Sequence, residues 1–475
     1  MLEKKMYPFF RASIKWIDHR RIPLTKKVAK EQKITDNIDI LFLPSNYYSF
    51  FLNRAKMMHK NMLKHGKIFY SYYGKYVVTY VFSPKGAWDV LALKQKSFMK
   101  GPLWGRARKL VGNGLLVSED PDHFVYRRMT MSSFDHNKLK SMSSIMLNAI
   151  SERVEDMKHG NKEIEVLSKM NSLTLDVIMR CVFGIYIKQD SEAIKHNTSI
   201  SQDAINRTQD PSLTRFENLN LPYFKRFADS TEFLYKFVED IYEEKIKSGL
   251  GSDDLLSVYI NTTDKDGNKM PKHQILDEML VIILAGFEST SNTLVWSFAH
   301  LNKNPEQYEK LINEALDIFK PEYSDEEILE KIIKAPVANN IIKETLRVYP
   351  PIWNLARMSI EDVIVDGKFI PKNTFVVVSP YVTHRDTDIY EDPEKWNPDR
   401  WNNDFEKTLP LGAYFPFGEG SRSCIGDQFA LMELKIALLC ISSQFRIKTY
   451  GRMPKGLDRI TYRVEKPLRA KIIKH

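Results

Sequence analysis

Residues 415–426 read FPFGEGSRSCIG, a short coil in which one cysteine stands among three glycines. A helical pattern follows directly, so Cys424 lies just ahead of a predicted helix N-terminus. The free N–H groups and the partial positive charge at such a terminus favour a thiolate, and we expect them to lower the pKa of Cys424. Gly418, Gly420 and Gly426 permit tight turns that bring backbone amides close to the sulfur. The segment therefore predicts that the Cys424 side chain is stabilised as a thiolate anion.

Three kinds of site use a thiolate. A zinc site needs further Cys or His ligands at short spacing, and the nearest other cysteine, Cys440, lies in the following helix. A cysteine hydrolase needs a histidine base, which the sequence leaves open because such partners are distant in the chain. A thiolate as the sole protein ligand of a haem iron fits best, with Arg422 two residues away to meet a haem propionate.

The spacing F-x-x-G-x-R-x-C-x-G over 417–426 resembles the haem-binding motif of the cytochrome P-450 family. Five fixed positions give a chance match on the order of 10⁻⁴ in a chain of this length, which disfavours a buried, inert cysteine. The resemblance implies haem b as the cofactor and Cys424 as the axial thiolate ligand of its iron. The other cofactor-binding positions that it implies in this loop are Phe417, Gly418, Arg422 and Gly426.

Two further segments resemble landmarks of the same family. Glu344 and Arg347 stand at its Glu-x-x-Arg spacing, and on a helix these two positions share one face and can pair. By itself this pair is a weak signal, because most such pairs are exposed and contribute little. The stretch WNPDRW over 396–401 resembles the family's aromatic-x-Pro-x-Arg segment, whose arginine, here Arg400, completes an ion network that holds the cysteine coil.

A third segment, AGFEST over 285–290, lies inside a predicted helix over 272–304. In the family this groove lies over the haem and lodges dioxygen, and an acid–alcohol pair relays protons to it. Glu288 matches the acid, Ser289 occupies the alcohol position that is usually threonine, and Thr290 follows. Because serine lacks the β-branch that fixes χ1, we expect leakier oxygen activation. The alternative to a catalytic role is that these residues form a polar bend in a core helix.

Gly286 within this helix costs about 1 kcal/mol relative to alanine, which is tolerated if something must approach the backbone. A helical bulge at Gly286 would bring Thr290 into the role of Ser289. The resemblance therefore implies Glu288, Ser289 and Thr290 as the catalytic residues.

Three more cofactor-binding residues follow from position within the family pattern. His123 stands where the family often has tryptophan, and Arg127 stands where a propionate-binding arginine would, four residues on. Arg357, shortly after Pro350 and Pro351, matches another propionate arginine. For Arg127 the alternative is an ordinary surface charge. The resemblance covers about residues 60–470.

The amino-acid composition limits the classes of protein to which this chain can belong. The 475 residues are 43% hydrophobic and 27% charged, enough for a large core and ordinary for a folded chain. Three cysteines exclude a disulfide scaffold and suit a reducing compartment. The net charge of +10 comes without a nucleic-acid motif, so we expect no nucleic-acid partner. It suits instead an acidic redox partner that docks near the cysteine.

The N-terminal residues 1–30 hold nine Lys/Arg among several aromatic residues. They predict either a helix that packs on the body, which we favour, or a basic segment in peripheral contact with anionic lipid. The longest apolar run, 279–287, is far shorter than the roughly 20 residues of a spanning helix. We therefore expect an intracellular protein, cytoplasmic or peripherally membrane-associated, without a transmembrane anchor. The predicted organisation is a basic segment over 1–60 and a single haem-thiolate catalytic domain over 61–475.

Hydrophobic periodicity predicts a mainly α fold with a small β region, similar to the cytochrome P-450 fold. The predicted elements are strands at 68–73 and 76–82 joined by a Gly74-Lys75 turn, helices over 135–350, a strand at 375–378, coil over 385–423, a helix at 427–444 and a last strand at 468–472.

The resemblance implies a haem-thiolate monooxygenase that inserts one oxygen atom from O2 into a small apolar substrate. Only 51 residues follow Cys424, and none forms a flavin or iron–sulfur motif, so electrons must come from a separate flavin or iron–sulfur partner. The alternatives are a haem-thiolate peroxygenase or isomerase, which needs no reductase, and a haem-binding sensor without turnover. The loop 95–115 and the helices near 200–235 are expected to line the substrate pocket.

Overall fold

The computed structural model describes residues 54–73, 76–105, 107–159, 163–186, 196, 199, 222–248, 254–263 and 267–475. The predictions for the basic segment 1–60 therefore lie almost wholly outside the described residues. The same holds for the Gly74-Lys75 turn and for much of the region near 200–235. The described residues are mostly helical with small sheets, as predicted.

The helices carry most of the described chain. Numbered in chain order, they are α1 Arg54–His65, α2 Pro84–Trp88, α3 Arg108–Val111, α4 Asp122–Met131, α5 His136–His159, α6 Val166–Phe183, α7 Pro222–Ser248, α8 Leu255–Asn261, α9 Lys272–Leu301, α10 Pro305–Ile318, α11 Asp325–Lys334, α12 Pro336–Val348, α13 Pro380–Thr383, α14 Phe405–Thr408 and α15 Asp427–Gln444.

The strands are short, and their order in the sheets differs from their order in the chain. They are β1 Ile68–Tyr73, β2 Tyr76–Val81, β3 Phe98–Met99, β4 Glu163–Glu165, β5 Leu355–Ser359, β6 Val363–Val365, β7 Lys368–Ile370, β8 Phe375–Val378, β9 Phe445–Thr449, β10 Gly456–Asp458, β11 Tyr462–Val464 and β12 Arg469–Lys474.

Two compact units divide the chain, and each is assembled from separated segments. The first unit comprises Met1–Gly101, Ile352–Lys395 and Glu406–Ser423, and it holds a five-stranded sheet in the order β1-β2-β8-β5-β3. Within this sheet β2 and β8 run parallel, with Val78 opposite Phe375. All four residues of β8 are buried, as expected for a central strand with apolar side chains on both faces.

The second unit comprises Pro102–Pro351, Trp396–Phe405 and Cys424–His475. Its central element is α9, which packs against α6, α7, α12 and α15, and most of its side chains are buried. Among the described residues α9 is the one helix long and apolar enough to cross a membrane, but 78% of its apolar window is buried inside the protein. That burial is what a central core helix shows.

The local predictions were accurate where sequence periodicity was strong. The two N-terminal strands, the strand at 375–378, the helix at 427–444 and the last strand all form. Helix α9 ends at Leu301 rather than at Asn304, because the Asn302 and Asn304 side chains donate to the last helical carbonyls of Phe298 and His300.

Candidate active site

Cys424 differs from the other two cysteines in accessibility. It follows a single 3₁₀ turn and directly precedes α15, whose N-cap is Gly426. Cys181 and Cys440 are buried in helices, whereas Cys424 is exposed. Of the three cysteines of the chain, this one alone offers its sulfur to a ligand.

The thiol of Cys424 is not, however, ionised by the protein alone. Although the residue is accessible, surrounding protein atoms desolvate the sulfur and raise the pKa of Cys424 to about 11. The backbone N–H of Gly426 donates to the sulfur and favours the thiolate, as does Arg127, whereas Asp427 opposes it. The N–H group at the helix entry favours the thiolate as predicted, but desolvation outweighs it, so the net shift of this pKa is opposite to the expected direction. A metal cation bound to the sulfur would favour the thiolate outright.

Arg127 lies on the cysteine side of α4. It is half-buried, and burial lowers its pKa, whereas Cys424 in its thiolate form and Asp427 raise it. His123, one turn earlier, is buried, and its Nδ1 lies 3.4 Å from the carboxylate of Asp120. Arg127 thus lies within electrostatic range of the sulfur, and His123 lies in the interior beside an acidic partner. An accessible thiol with a guanidinium within electrostatic range is a donor set that suits a haem with a charged propionate.

In the first unit the cysteine loop is fixed by close backbone approach. Gly420 has a φ of +73°, and a Cβ atom there would lie 2.1 Å from the carbonyl oxygen of Leu91. The next residue is held as well, because Ser421 donates to Oε1 of Gln95 from its N–H at 2.8 Å and from its hydroxyl at 2.6 Å. Gly420 is therefore required by sterics, and Gln95 is an anchor that the sequence did not reveal.

The other predicted residues of the first unit are placed as follows. Gly418 also has a positive φ, of +74°, but a Cβ atom there would meet nothing closer than 3.8 Å. Phe417 and Arg422 are partly exposed. Arg357 lies on β5, where it is buried and donates to the carbonyl oxygen of Ala356 at 3.0 Å.

In α9 a short accessible window interrupts a buried helix. Ala285 is exposed and Ser289 is half-buried, whereas nearly all other residues from 274 to 299 are buried. Gly286 lies beside this window, and a Cβ atom there would come within 2.9 Å of Cδ1 of Ile178 on α6. The group that approaches this glycine is therefore a neighbouring core side chain.

Ser289 and Thr290 use their hydroxyl groups alike but face different surroundings. Each donates to the carbonyl four residues earlier, Ser289 to Ala285 at 2.8 Å and Thr290 to Gly286 at 2.9 Å. The helix is continuous from Lys272 to Leu301, so the bulge considered for Gly286 does not form. Ser289 consequently faces the accessible window, and Thr290 faces the interior.

Glu288 is a buried acid with a hydroxyl partner. Thr461, in the loop before β11, donates to Oε1 of Glu288 at 2.7 Å. Nothing in the sequence pairs these two residues, which lie more than 170 positions apart. Glu288 is thus held in the interior of the second unit.

Glu344 is the centre of a buried network. Arg347 donates to it from Nε at 2.9 Å and from Nη2 at 2.8 Å, and both side chains are fully buried. The backbone N–H of Asn397 and the indole N–H of Trp401 donate to the same carboxylate at 2.8 Å and 2.9 Å. Nε of Arg400 lies 3.6 Å away. The predicted pair therefore forms, and it fixes the segment 396–401.

Comparison with known proteins gives a single family over nearly the whole chain. The family model described as Cytochrome P450 matches residues 41–470. Pentalenene oxygenase of Streptomyces avermitilis is 30% identical over 353 residues, which are 73% of this chain and 76% of that protein.

Further relatives come from bacteria and animals. Cyclooctat-9-en-7-ol 5-monooxygenase of Streptomyces melanosporofaciens is 28% identical over 75% of this chain and 77% of its own. Cytochrome P450 4F1 of Rattus norvegicus is 27% identical over 75% of this chain and 72% of its own. The match thus extends far beyond the cysteine loop.

Proposed function

Because this chain belongs to the cytochrome P450 family of haem-binding oxidoreductases, we propose that it is a haem-thiolate monooxygenase fed by a separate redox partner. It inserts one oxygen atom of O2 into an apolar organic substrate, and the other atom leaves as water with two protons and two donated electrons. The observation that carries the proposal is Cys424, an accessible cysteine at a helix entry with Arg127 within electrostatic range.

The cofactor in this proposal is haem b, whose iron the sulfur of Cys424 would hold. The haem group, when bound, activates dioxygen at its iron. Arg127, Arg357 and Arg422 neutralise the propionates by charge-assisted hydrogen bonds, and His123 supports Arg127 from the same helix face. Phe417, Gly418 and Gly426 shape the loop around the sulfur.

Proton delivery is assigned to the accessible window of α9. The hydroxyl of Ser289, which rests on the Ala285 carbonyl, would turn to the accessible window and hold there a proton that it exchanges with water. Glu288, which accepts a hydrogen bond from Thr461, is the acid that passes protons to this water. Thr290 supports the same helical turn from its buried side.

The proposed substrate class and electron donor are supported by the names of two relatives and by the net charge of the chain. Two relatives are named for cyclooctat-9-en-7-ol and for pentalenene, both largely hydrocarbon compounds, which supports an apolar substrate here. An acidic flavin or iron–sulfur protein suits a chain with a net charge of +10. We propose an intracellular location, with peripheral lipid contact through residues 1–30 as the alternative to a cytoplasmic one.

The test replaces the exposed cysteine and, as its control, one buried cysteine. Cys424→Ala should lose the red-shifted Soret band of the reduced carbon monoxide complex, because no thiolate remains at the iron. Cys440→Ala, in the following helix, is the matched control and should keep the band. A thiolate spectrum retained in Cys424→Ala would overturn the assignment.

A second measurement separates the monooxygenase from the peroxygenase or isomerase. Supplied with NAD(P)H and a generic reductase, the wild-type protein should reduce O2 and oxidise an apolar substrate identified by its spin-state shift. Product formation with peroxide alone, and none with the reductase, would favour the peroxygenase.

A further inference from the structure

The loop between β10 and β11 contacts α9 at the acid that the proposed reaction uses. Thr461 in this loop is 6% exposed and Glu288 is 8% exposed, and 2.7 Å separates the donor Oγ1 from the acceptor Oε1. The donor is a side-chain hydroxyl, so the bond depends on which residue stands at position 461. An aliphatic residue there would leave a buried carboxyl oxygen without this donor.

The backbone around Thr461 is anchored on both sides of the residue. The N–H of Tyr462 donates to the carbonyl oxygen of Pro351 at 2.8 Å, and the N–H of Arg459 donates to the carbonyl oxygen of Thr461 at 3.1 Å. The hairpin is also closely packed, because a Cβ atom at Gly456 would lie 2.1 Å from Oη of Tyr462. Thr461 therefore presents its hydroxyl from a backbone with little freedom to move.

The same loop meets α9 a second time through an aromatic ring. The ring of Tyr462 stacks on Trp296, eight residues after Glu288, with centroids 6.1 Å apart. Trp296 is fully buried and stacks in turn on Tyr349 at 4.0 Å. This apolar contact fixes where the loop lies along α9. The polar contact of the neighbouring Thr461 then acts on the orientation of the carboxyl group.

The side chain of Thr461 also limits the direction of its own hydroxyl. Two heavy atoms on Cβ restrict χ1 of threonine, so a fixed backbone leaves the hydroxyl few directions in which to point. A glutamate side chain, in contrast, has several rotamers and loses much freedom when it is ordered. A hydrogen bond from a fixed donor to the carboxylate offsets that loss and selects one rotamer of Glu288.

We propose that Thr461 is a positioning residue for the proton supply, which holds the Glu288 carboxyl group in one orientation beside the turn of α9 that carries Ser289. Thr461 acts through Glu288 and exchanges no proton itself. The proposal rests on the proposed function, because it takes its catalytic meaning from Glu288 as the acid. Without this orientation, more O2 should leave as hydrogen peroxide, which takes up the two electrons and two protons that product formation would have used.

Two substitutions separate the hydroxyl from the shape of the side chain. Thr461→Val keeps the β-branch and removes the donor. Product formed per NAD(P)H oxidised should fall several-fold and peroxide should rise, while haem content and the carbon monoxide spectrum stay as in the wild type. Thr461→Ser keeps the donor and should restore most of the coupling.

Thr174→Val is the matched control. Thr174 on α6 is fully buried, and its hydroxyl donates to the carbonyl oxygen of Phe287, the residue before Glu288, at 2.9 Å. This variant removes a threonine donor from the same turn of α9 but leaves the carboxyl group alone. It should lower the urea midpoint about as much as Thr461→Val does and keep wild-type coupling. An equal loss of coupling in the two valine variants would overturn the proposal, because any lost bond at this turn would then have the same effect.

Infrared difference spectroscopy on the resting holoprotein tests the contact without turnover. The wild type minus Glu288→Gln spectrum identifies the band of the Glu288 carboxyl group. Thr461→Val should move this band, whereas Thr461→Ser and Thr174→Val should leave it close to its wild-type position. A band that stays in place in Thr461→Val, or one that moves while coupling is unchanged, contradicts the proposal.

Failure of the proposed function has a different signature. A wild-type protein without reductase-driven turnover would contradict the monooxygenase assignment. The infrared comparison needs no turnover, so it still decides whether Thr461 orients Glu288.

Discussion

Ser289 and Thr290 are adjacent in the chain, and the difference between them is a matter of helix geometry. Successive residues on a helix are rotated by about 100°, so neighbours rarely share surroundings. Both hydroxyl groups donate a hydrogen bond to a backbone carbonyl, yet only Ser289 lies at the accessible window beside Ala285. The alcohol closest to a bound substrate is therefore expected to be a serine, which rotates about χ1 more freely than threonine.

Replacing Ser289 by alanine should uncouple the reaction. Cofactor oxidation continues, but product per reducing equivalent falls by a factor on the order of ten, with peroxide released, because a positioned proton donor is lost. Ser289→Thr is the control and should keep or improve coupling. Product, peroxide and NAD(P)H are measured in the same reaction. Coupling unchanged in Ser289→Ala would mean that protons arrive through Glu288 and water alone.

The sequence was informative about residues whose role depends on near neighbours, and uninformative about partners that are distant in the chain. The cysteine, its glycines and the Glu344–Arg347 spacing were all readable, because each is a local pattern. Thr461 beside Glu288 and Gln95 beside Ser421 were not, because folding alone brings them together. The pKa of Cys424 was predicted in the wrong direction for the same reason, since desolvation comes from packed tertiary neighbours.

At the scale of elements, the cysteine loop is held by close contact with the backbone near Leu91. The two glycines Gly420 and Gly451 both have positive φ, of +73° and +78°, but a Cβ atom at Gly451 would meet nothing within 4 Å. They therefore form a natural pair for separating backbone strain from steric contact.

Gly420→Ala should be much more damaging than Gly451→Ala. The control carries only the left-handed backbone strain, about 1–2 kcal/mol. Gly420→Ala adds a contact that the Leu91 backbone must move to relieve, so haem content should fall along with the free energy of unfolding. Urea unfolding and the haem-to-protein ratio measure the two effects. Equal losses in both variants would show that the contact with Leu91 does not fix the loop.

The position of the segment 396–401 also depends on one residue, Glu344. Glu344 accepts four hydrogen bonds in full burial, two from Arg347 and two from this segment. Removing the carboxylate leaves a buried guanidinium and two buried N–H groups without their acceptor. The segment is thus more sensitive to Glu344 than its own sequence suggests.

Glu344→Ala should destabilise the protein by about 3–5 kcal/mol, the cost of breaking a buried ion pair. We expect poor expression and little bound haem. Asp240→Ala, which removes an exposed helical pair with Lys236, is the control and should leave the unfolding transition where it is. A well-expressed Glu344→Ala protein with normal haem content would contradict the structural role.

At the scale of the whole molecule, the second unit contains a partly buried histidine within an aromatic stack. The ring of His300 stacks on Trp396 with centroids 5.0 Å apart and lies 5.2 Å from Tyr349. Burial lowers the pKa of His300 from 6.5 to about 3, and its Nε2 has no hydrogen-bond partner among the described residues. The folded protein therefore keeps this ring neutral where the unfolded chain protonates it.

This difference predicts a loss of stability in acid. Between about pH 6.5 and pH 3 the unfolded state binds one more proton, so stability is full above this range and falls as pH decreases through it, by up to about 1.4 kcal/mol per pH unit. His300→Phe preserves the stack and should flatten the slope. Urea unfolding of both proteins at pH 7, 6 and 5 measures it. Parallel slopes would show that other groups dominate.

The parallel pairing of β2 with β8 has a consequence for synthesis in the cell. Val78 pairs with Phe375, about 300 residues later, so the central strand of the first sheet is missing until most of the chain has been translated. At roughly 5–20 residues per second, the β1–β2 hairpin waits on the order of tens of seconds beside the ribosome with an unpaired edge. During that interval the nascent chain is a substrate for chaperones and for aggregation, and slower growth at low temperature with chaperone co-expression should raise the soluble yield.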